Sequence, residues 1–162
     1  MTNMKPGKGN DVVYTPTKLA EDIVKYFNPT GRVLEPCRGD GAFYNTGLFT
    51  DWCEIAEGKD FYAFNDSVDW IITNPPWSQI TKFIEHSIKH SDNIVFLTGI
   101  YHMMTKKRLR LMKEAGLYLT EVILVDTPPN PWPQMGLQVG VTHWSKQPAD
   151  TVKWTDWRGR SK

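Results

Sequence analysis

The sequence offers little that would announce a metal, a disulfide framework or a membrane. It holds two cysteines, Cys37 and Cys53, and neither stands in a Cys-x-x-Cys or Cys/His spacing. No zinc site or dithiol pair is readable, and no metal is expected. No run approaches the ~20 apolar residues of a membrane span, and the polar start 1–10 lacks the apolar centre of a signal peptide. A soluble, cytoplasmic protein is expected. Lys and Arg number 19 against 18 Asp and Glu, which argues against a strongly basic nucleic-acid coat but leaves room for a local basic cluster. The sequence shows no internal repeat and no low-complexity tract.

What is present suits one domain. A chain of 162 residues with 40% apolar content can bury one real core and is too short for two ordinary ones. A single unit over 1–162 is expected, loose at 1–10 and 157–162. Seven tryptophans are many for this length, and those near loops can stack on bases as well as fill a core.

Periodicity predicts a helix over Thr17–Phe27, with Leu19, Ala20, Ile23, Val24 and Phe27 on one face and Thr15 or Thr17 as its cap. Breakers at 28–31 precede a strand at 32–36 and a glycine-bearing loop, then a short helix near 42–48. Strands are expected at 52–55, 68–73, 93–98, 121–125 and 138–144, with helices at 80–89 and 105–115. Alternating strands and helices imply an α/β fold, a mostly parallel sheet with helices on both faces. The last two strands, joined without a helix, make an antiparallel edge.

In such a sheet the ligand sits beyond the carboxyl ends of the strands. After the first strand come Glu35, Pro36, Cys37, Gly39, Gly41 and Phe43. The glycines let backbone approach a ligand, and an acid there favours a ligand carrying an ammonium group over a phosphate. Alone, this pattern also fits an ordinary tight turn. After the buried third strand come Asn74, Pro75, Pro76 and Trp77. Two prolines fix the backbone and deny it amide donors, leaving carbonyl acceptors, which suits a bound amine. The bland alternative is a proline-rich turn with a core tryptophan.

Together these residues resemble the class I S-adenosylmethionine-dependent adenine-N6 DNA methyltransferases, a Rossmann-like family whose acceptor motif is Asn/Asp/Ser-Pro-Pro-aromatic. The resemblance covers 14–77 in motifs and the rest only in strand pattern, and a minimal form lacking the family's target recognition domain is expected. It implies S-adenosylmethionine as cofactor, DNA as partner, a bacterial or bacteriophage setting, and either a homodimer or a separate specificity partner. It gives Asn74 and the Pro75 carbonyl the adenine amine, and Trp77 the flipped base. Tyr14, Thr15 and Pro16 correspond to the loop at the methionine end of the donor, and they also read as a helix cap. Glu54 and Ile55 correspond to the ribose-binding acid and its neighbour, and Asp60 and Phe61 to the pair holding the donor's adenine. Only six residues separate these two pairs, where the family has room for a helix, so Glu57 stays a rival for the ribose.

For the substrate, Lys106, Lys107 and Arg108, with Arg110 and Lys113, crowd one helix and read equally as phosphate contacts or a solvated face. Trp132, in the proline-rich loop 126–136, is the candidate for a second ring at the base and reads equally as a tryptophan packed on its own prolines. His102 and His143 receive no role. The ring-and-cation tail 153–160 reads as a packing segment rather than a strand-binding one. Two further readings remain open: methylation of RNA adenine or a protein glutamine amide by the same turn, and a non-catalytic donor-binding subunit.

Overall fold

The computed structural model describes residues 13–134 and 136–160; the expected loose start 1–10 lies outside them. Helix α1 (Thr17–Phe27) leads to strand β1 (Val33–Glu35), β2 (Asp51–Trp52), β3 (Trp70–Thr73), α2 (Ile80–Ser87), β4 (Asn93–Gly99), α3 (Lys106–Glu114), β5 (Tyr118–Leu124), β6 (Val139–Ser145) and β7 (Lys153–Asp156). The strands form one sheet in the order β2-β1-β3-β4-β6-β5-β7. β2, β1, β3 and β4 are mutually parallel, β6 is antiparallel to both β4 and β5, and β7 is parallel to β5.

The direction of β6 follows from its connection. Helix α3 carries the chain from β4 past one vacant strand position to β5, and the helix-free loop after β5 can only return antiparallel into that gap. The antiparallel pair expected at the edge is therefore interior, because β7 adds a further strand outside β5.

Strands covered on both faces explain the unbroken apolar runs. On one face Val33, Ile72, Val95, Leu97, Ile123, Val139 and Val141 pack against Ala20, Ile23 and Val24 of α1. On the other, Leu34, Ile71, Ile94 and Phe96 pack against Ile80, Phe83 and Ile84 of α2 and Met112 of α3. Alternate residues of one strand thus serve opposite layers.

Four local expectations are corrected. The helix expected near 42–48 is only a 3-10 turn, Tyr44–Thr46, held between two positive-φ glycines, Gly41 and Gly47. The second strand is Asp51–Trp52, shorter and earlier than 52–55, because Glu54 leaves the sheet to cap the next 3-10 turn. Neither Thr15 nor Thr17 caps α1; Pro16 holds that position without a side-chain bond. Trp157 is not loose: it is 8% exposed, donates its amide to Leu124 O at 2.8 Å and meets the Tyr26 ring edge-on.

Candidate functional site

The loop leaving β1 turns within a few residues. Gly39 and Gly41 take φ of +56° and +92°, a region L side chains avoid. At Gly39 a Cβ would also come within 3.2 Å of the Tyr14 ring, so the N-terminal loop lies directly against this turn. Glu35 is 1% exposed. It accepts a hydrogen bond from Cys37 N at 3.1 Å and one from the Thr73 hydroxyl, tying the ends of β1 and β3 together. Burial holds its carboxyl well above the usual carboxylate range, against the pull of those two donors. Phe43 is buried beside Phe49, Pro36 is buried and Cys37 half-buried.

The acceptor turn leaves β3 beside this loop. The amide of Asn74 donates to the Val13 carbonyl at 2.8 Å, tying the acceptor turn to the N-terminal segment. Pro75 and Pro76 are buried, Asn74 and Trp77 half-buried. The Pro76 carbonyl accepts Gln79 N–H at 2.9 Å, so this second carbonyl is spent on the 3-10 turn Trp77–Gln79. Trp77 stands edge-on to Trp132, ring centres 5.8 Å apart, and 5.0 Å from the ring of His102. Trp132 is 3% exposed and donates its indole N–H to Tyr14 O at 3.0 Å. It forms a wall joining Tyr14 to Trp77 rather than an open ring, because its one polar atom is drawn inward to that carbonyl. Thr15 is buried and Pro16 half-buried at the same junction.

After β2 the chain makes two 3-10 turns, Ile55–Glu57 and Phe61–Ala63. Glu54 reaches back to the β1 loop: its carboxylate accepts Gly39 N–H at 2.8 Å and Ala56 N–H at 3.0 Å. A carboxylate has about four acceptor positions, so two of them serve the fold. Glu57 instead pairs with Arg38 at the surface, while Ile55 is exposed. Asp60 caps its own turn by accepting Tyr62 N–H at 2.9 Å. Phe61 is 3% exposed, packed on Phe83 and His86 of α2. Its neighbour Tyr62, which sequence reasoning passed over, donates its hydroxyl to Gln79 Oε1 at 2.9 Å. That bond joins the second loop to the acceptor turn; the only signal for it was proximity to Phe61 and Trp77.

The basic helix divides. Lys106 and Lys107 are exposed in the first turn of α3. Arg108 is turned inward, with Nη1 at 2.6 Å from His102 O and Nε at 3.0 Å from Thr81 Oγ1; these ties draw on two of the five N–H donors of the guanidinium expected at a phosphate. An open cavity of about 440 Å³ runs along β2, lined by Tyr44, Trp52, Lys59, Asp60 and Phe64 among others. Among the described residues no group of three His, Cys, Asp or Glu is placed to hold a metal ion, and no helix is long and apolar enough to cross a membrane.

No protein-family model and no curated protein matches the sequence. Solved structures do match in fold. The M protein of the type I restriction enzyme EcoKI superposes with a TM-score of 0.66 at 12% identity, over 92% of this chain and 49% of that one. A Pyrococcus horikoshii protein proposed to be an RNA methyltransferase gives 0.59 at 15% identity, over 80% of this chain and 82% of that one. A Listeria monocytogenes protein proposed to be a class I S-adenosylmethionine-dependent methyltransferase gives 0.59 at 13%, over 86% and 62%. The chain spans about half the length of the EcoKI protein. With β6 the one reversed strand of its sheet, the chain has the α/β fold of the class I methyltransferases.

Proposed function

We propose that the chain transfers a methyl group from S-adenosylmethionine to the exocyclic N6 amine of adenine in DNA. The observation that carries this reading is the Asn74–Val13 bond: it holds the side chain by its nitrogen and leaves the oxygen, always an acceptor, for the amine of a base. When bound, S-adenosylmethionine supplies an electrophilic methyl on a sulfonium.

The residues fit that cofactor. The Gly39–Gly41 turn under Tyr14 is a backbone cradle, and Glu54, pinned to Gly39 N–H, is the ribose acid in preference to Glu57, which is turned to Arg38. Glu35 acts on this loop from inside, as a buried brace with Thr73, and Asp60 lies at the adenine end. Cys37, Ile55 and the segment Tyr14, Thr15 and Pro16 complete the surround, with Phe43 and Phe61 supporting it from the core.

Asn74 Oδ1 and the Pro75 carbonyl would accept the two amine hydrogens and favour a more tetrahedral nitrogen, able to take the methyl from the donor's sulfonium and leave a neutral thioether, while the amine proton would pass to water. No strong base is needed, so positioning and electrostatics carry the rate. Trp77 is the platform for the target base, worth on the order of 1–3 kcal/mol. Lys106 and Lys107 meet phosphates. The likeness to the EcoKI M protein supports DNA as the partner, with site specificity supplied by another subunit or a second copy.

The test is incubation with labelled donor and unmethylated DNA, followed by nucleoside analysis. N6-methyladenine is expected, and Asn74→Ala should lower its formation ~10²–10³-fold, the usual scale for removing one preorganised electrostatic group. Calorimetric donor binding by both proteins without transfer to any duplex or single strand would overturn the reading.

A further inference from the structure

Three large exposed rings stand out: Tyr14 (56%), Tyr101 (53%) and Trp154 (62%). Trp154 lies on the outer strand β7, and Tyr14 covers the Gly39 turn. Tyr101 has no part in the chemistry above. It sits on the 3-10 turn Ile100–Met103 that directly follows β4, and β4 is the neighbour of β3, whose end carries Asn74. From Trp77 the rings run outward in a row: His102 at 5.0 Å from Trp77, then Tyr101 at 4.1 Å from His102. The row begins at the half-buried acceptor ring and ends in solvent.

The exposed ring is held rather than trailing. Arg108 clamps the carbonyl of His102 to Thr81 of α2, and the rings of Tyr101 and His102 lie against Gly99, where a Cβ would meet each at 3.3 Å. An apolar ring kept half in water on a braced turn loses little entropy on gaining a partner. Just beyond it, the first turn of α3 exposes Lys106 and Lys107 and contains no acid.

We propose that Tyr101 stacks on the nucleobase next to the target, so that the substrate is an unpaired nucleic-acid strand laid from Trp77 across Tyr101 with its phosphates toward Lys106 and Lys107. The ring supplies a flat face that any base can use, and only an unpaired base offers its own face in return. A protein glutamine would leave this row unused. The inference rests on the acceptor reading of Asn74 to Trp77 and narrows its substrate class.

The experiment compares wild type, Tyr101→Ala and Tyr101→Phe on single-stranded oligonucleotides of about ten nucleotides, in DNA and RNA versions, with the DNA duplex as a third arm. Strand binding is read by fluorescence anisotropy and transfer with labelled donor. Tyr101→Ala should weaken strand binding and raise KM roughly 5–100-fold, the measured worth of one stacked base, while Tyr101→Phe stays within about twofold and donor binding is unchanged. The DNA and RNA arms identify which strand is used. Equal strand affinity for wild type and Tyr101→Ala, or tighter binding of the duplex, overturns the inference and leaves the acceptor reading standing. Strand binding that depends on Tyr101 without any transfer overturns the acceptor reading instead.

Discussion

The indole of Trp132 donates to the backbone carbonyl of Tyr14 across 118 positions of sequence, at 3.0 Å. One bond closes the N-terminal loop over the site from the far end of the chain, while the same ring stands edge-on to Trp77. The donor side and the acceptor side of the proposed reaction therefore share a wall.

Trp132→Phe tests that wall. It keeps a ring beside Trp77 but removes the N–H together with part of the indole's bulk, leaving the Tyr14 carbonyl without its donor and a gap at a side chain only 3% exposed. The expected cost is at least about 1 kcal/mol in urea unfolding for the bond, with the unfilled volume adding to it, and proteolytic cleavage near Tyr14 should be faster under native conditions. Unchanged stability and cleavage would show that the loop is held by other contacts.

The two acids after β2 are separable by calorimetry. Glu54→Ala removes the carboxylate bonded to Gly39 N–H, and donor affinity should fall by roughly tenfold or more, the worth of a hydrogen bond involving a charged group. Glu57→Ala removes only the exposed partner of Arg38, and affinity should stay within about threefold. The reverse ranking would assign the ribose to Glu57.

His143 sets a pH dependence. Its ring stacks on Trp70 and lies 3.1 Å from Asn93 Oδ1 and 3.0 Å from Thr120 Oγ1, and burial pushes its pKa down to about 4 from the ordinary 6.5. The folded ring is neutral where the unfolded ring is already protonated, so the unfolded state binds more protons between those values. The contribution of His143 is complete above about pH 6.5 and is lost as pH drops toward 4, by about 3 kcal/mol in all, while the raised Glu35 contributes the opposite slope. In urea titrations across this range wild type should lose more stability toward acid than His143→Gln, the difference being the His143 contribution. Identical slopes would remove His143 as the cause.

The long elements were legible in the sequence because their signals are local. The 3.6-residue spacing of Ala20, Ile23, Val24 and Phe27 is α1 itself, and the apolar run of β4 can only be a strand covered on both sides. The weak elements were not. The Tyr44–Thr46 turn is limited by Gly41 and Gly47, a local signal whose left-handed backbone the residue pattern alone does not reveal, and β7 exists only because β5 offers it an edge.

For the site, the sequence by itself determined which groups are offered: an asparagine followed by two prolines and a ring offers acceptors and few amide donors, and an acid followed by paired glycines offers a tight turn open to close approach. Tertiary structure decided which side chains are left to use them. Trp132, Arg108 and Phe61 carry the right groups for substrate or donor, yet each is drawn inward, to Tyr14 O, to His102 O and to the rings of α2. A buried polar group must find a partner, and that partner is set by distant segments no window of sequence contains. The same competition leaves Tyr101 outside, on a turn braced from beneath.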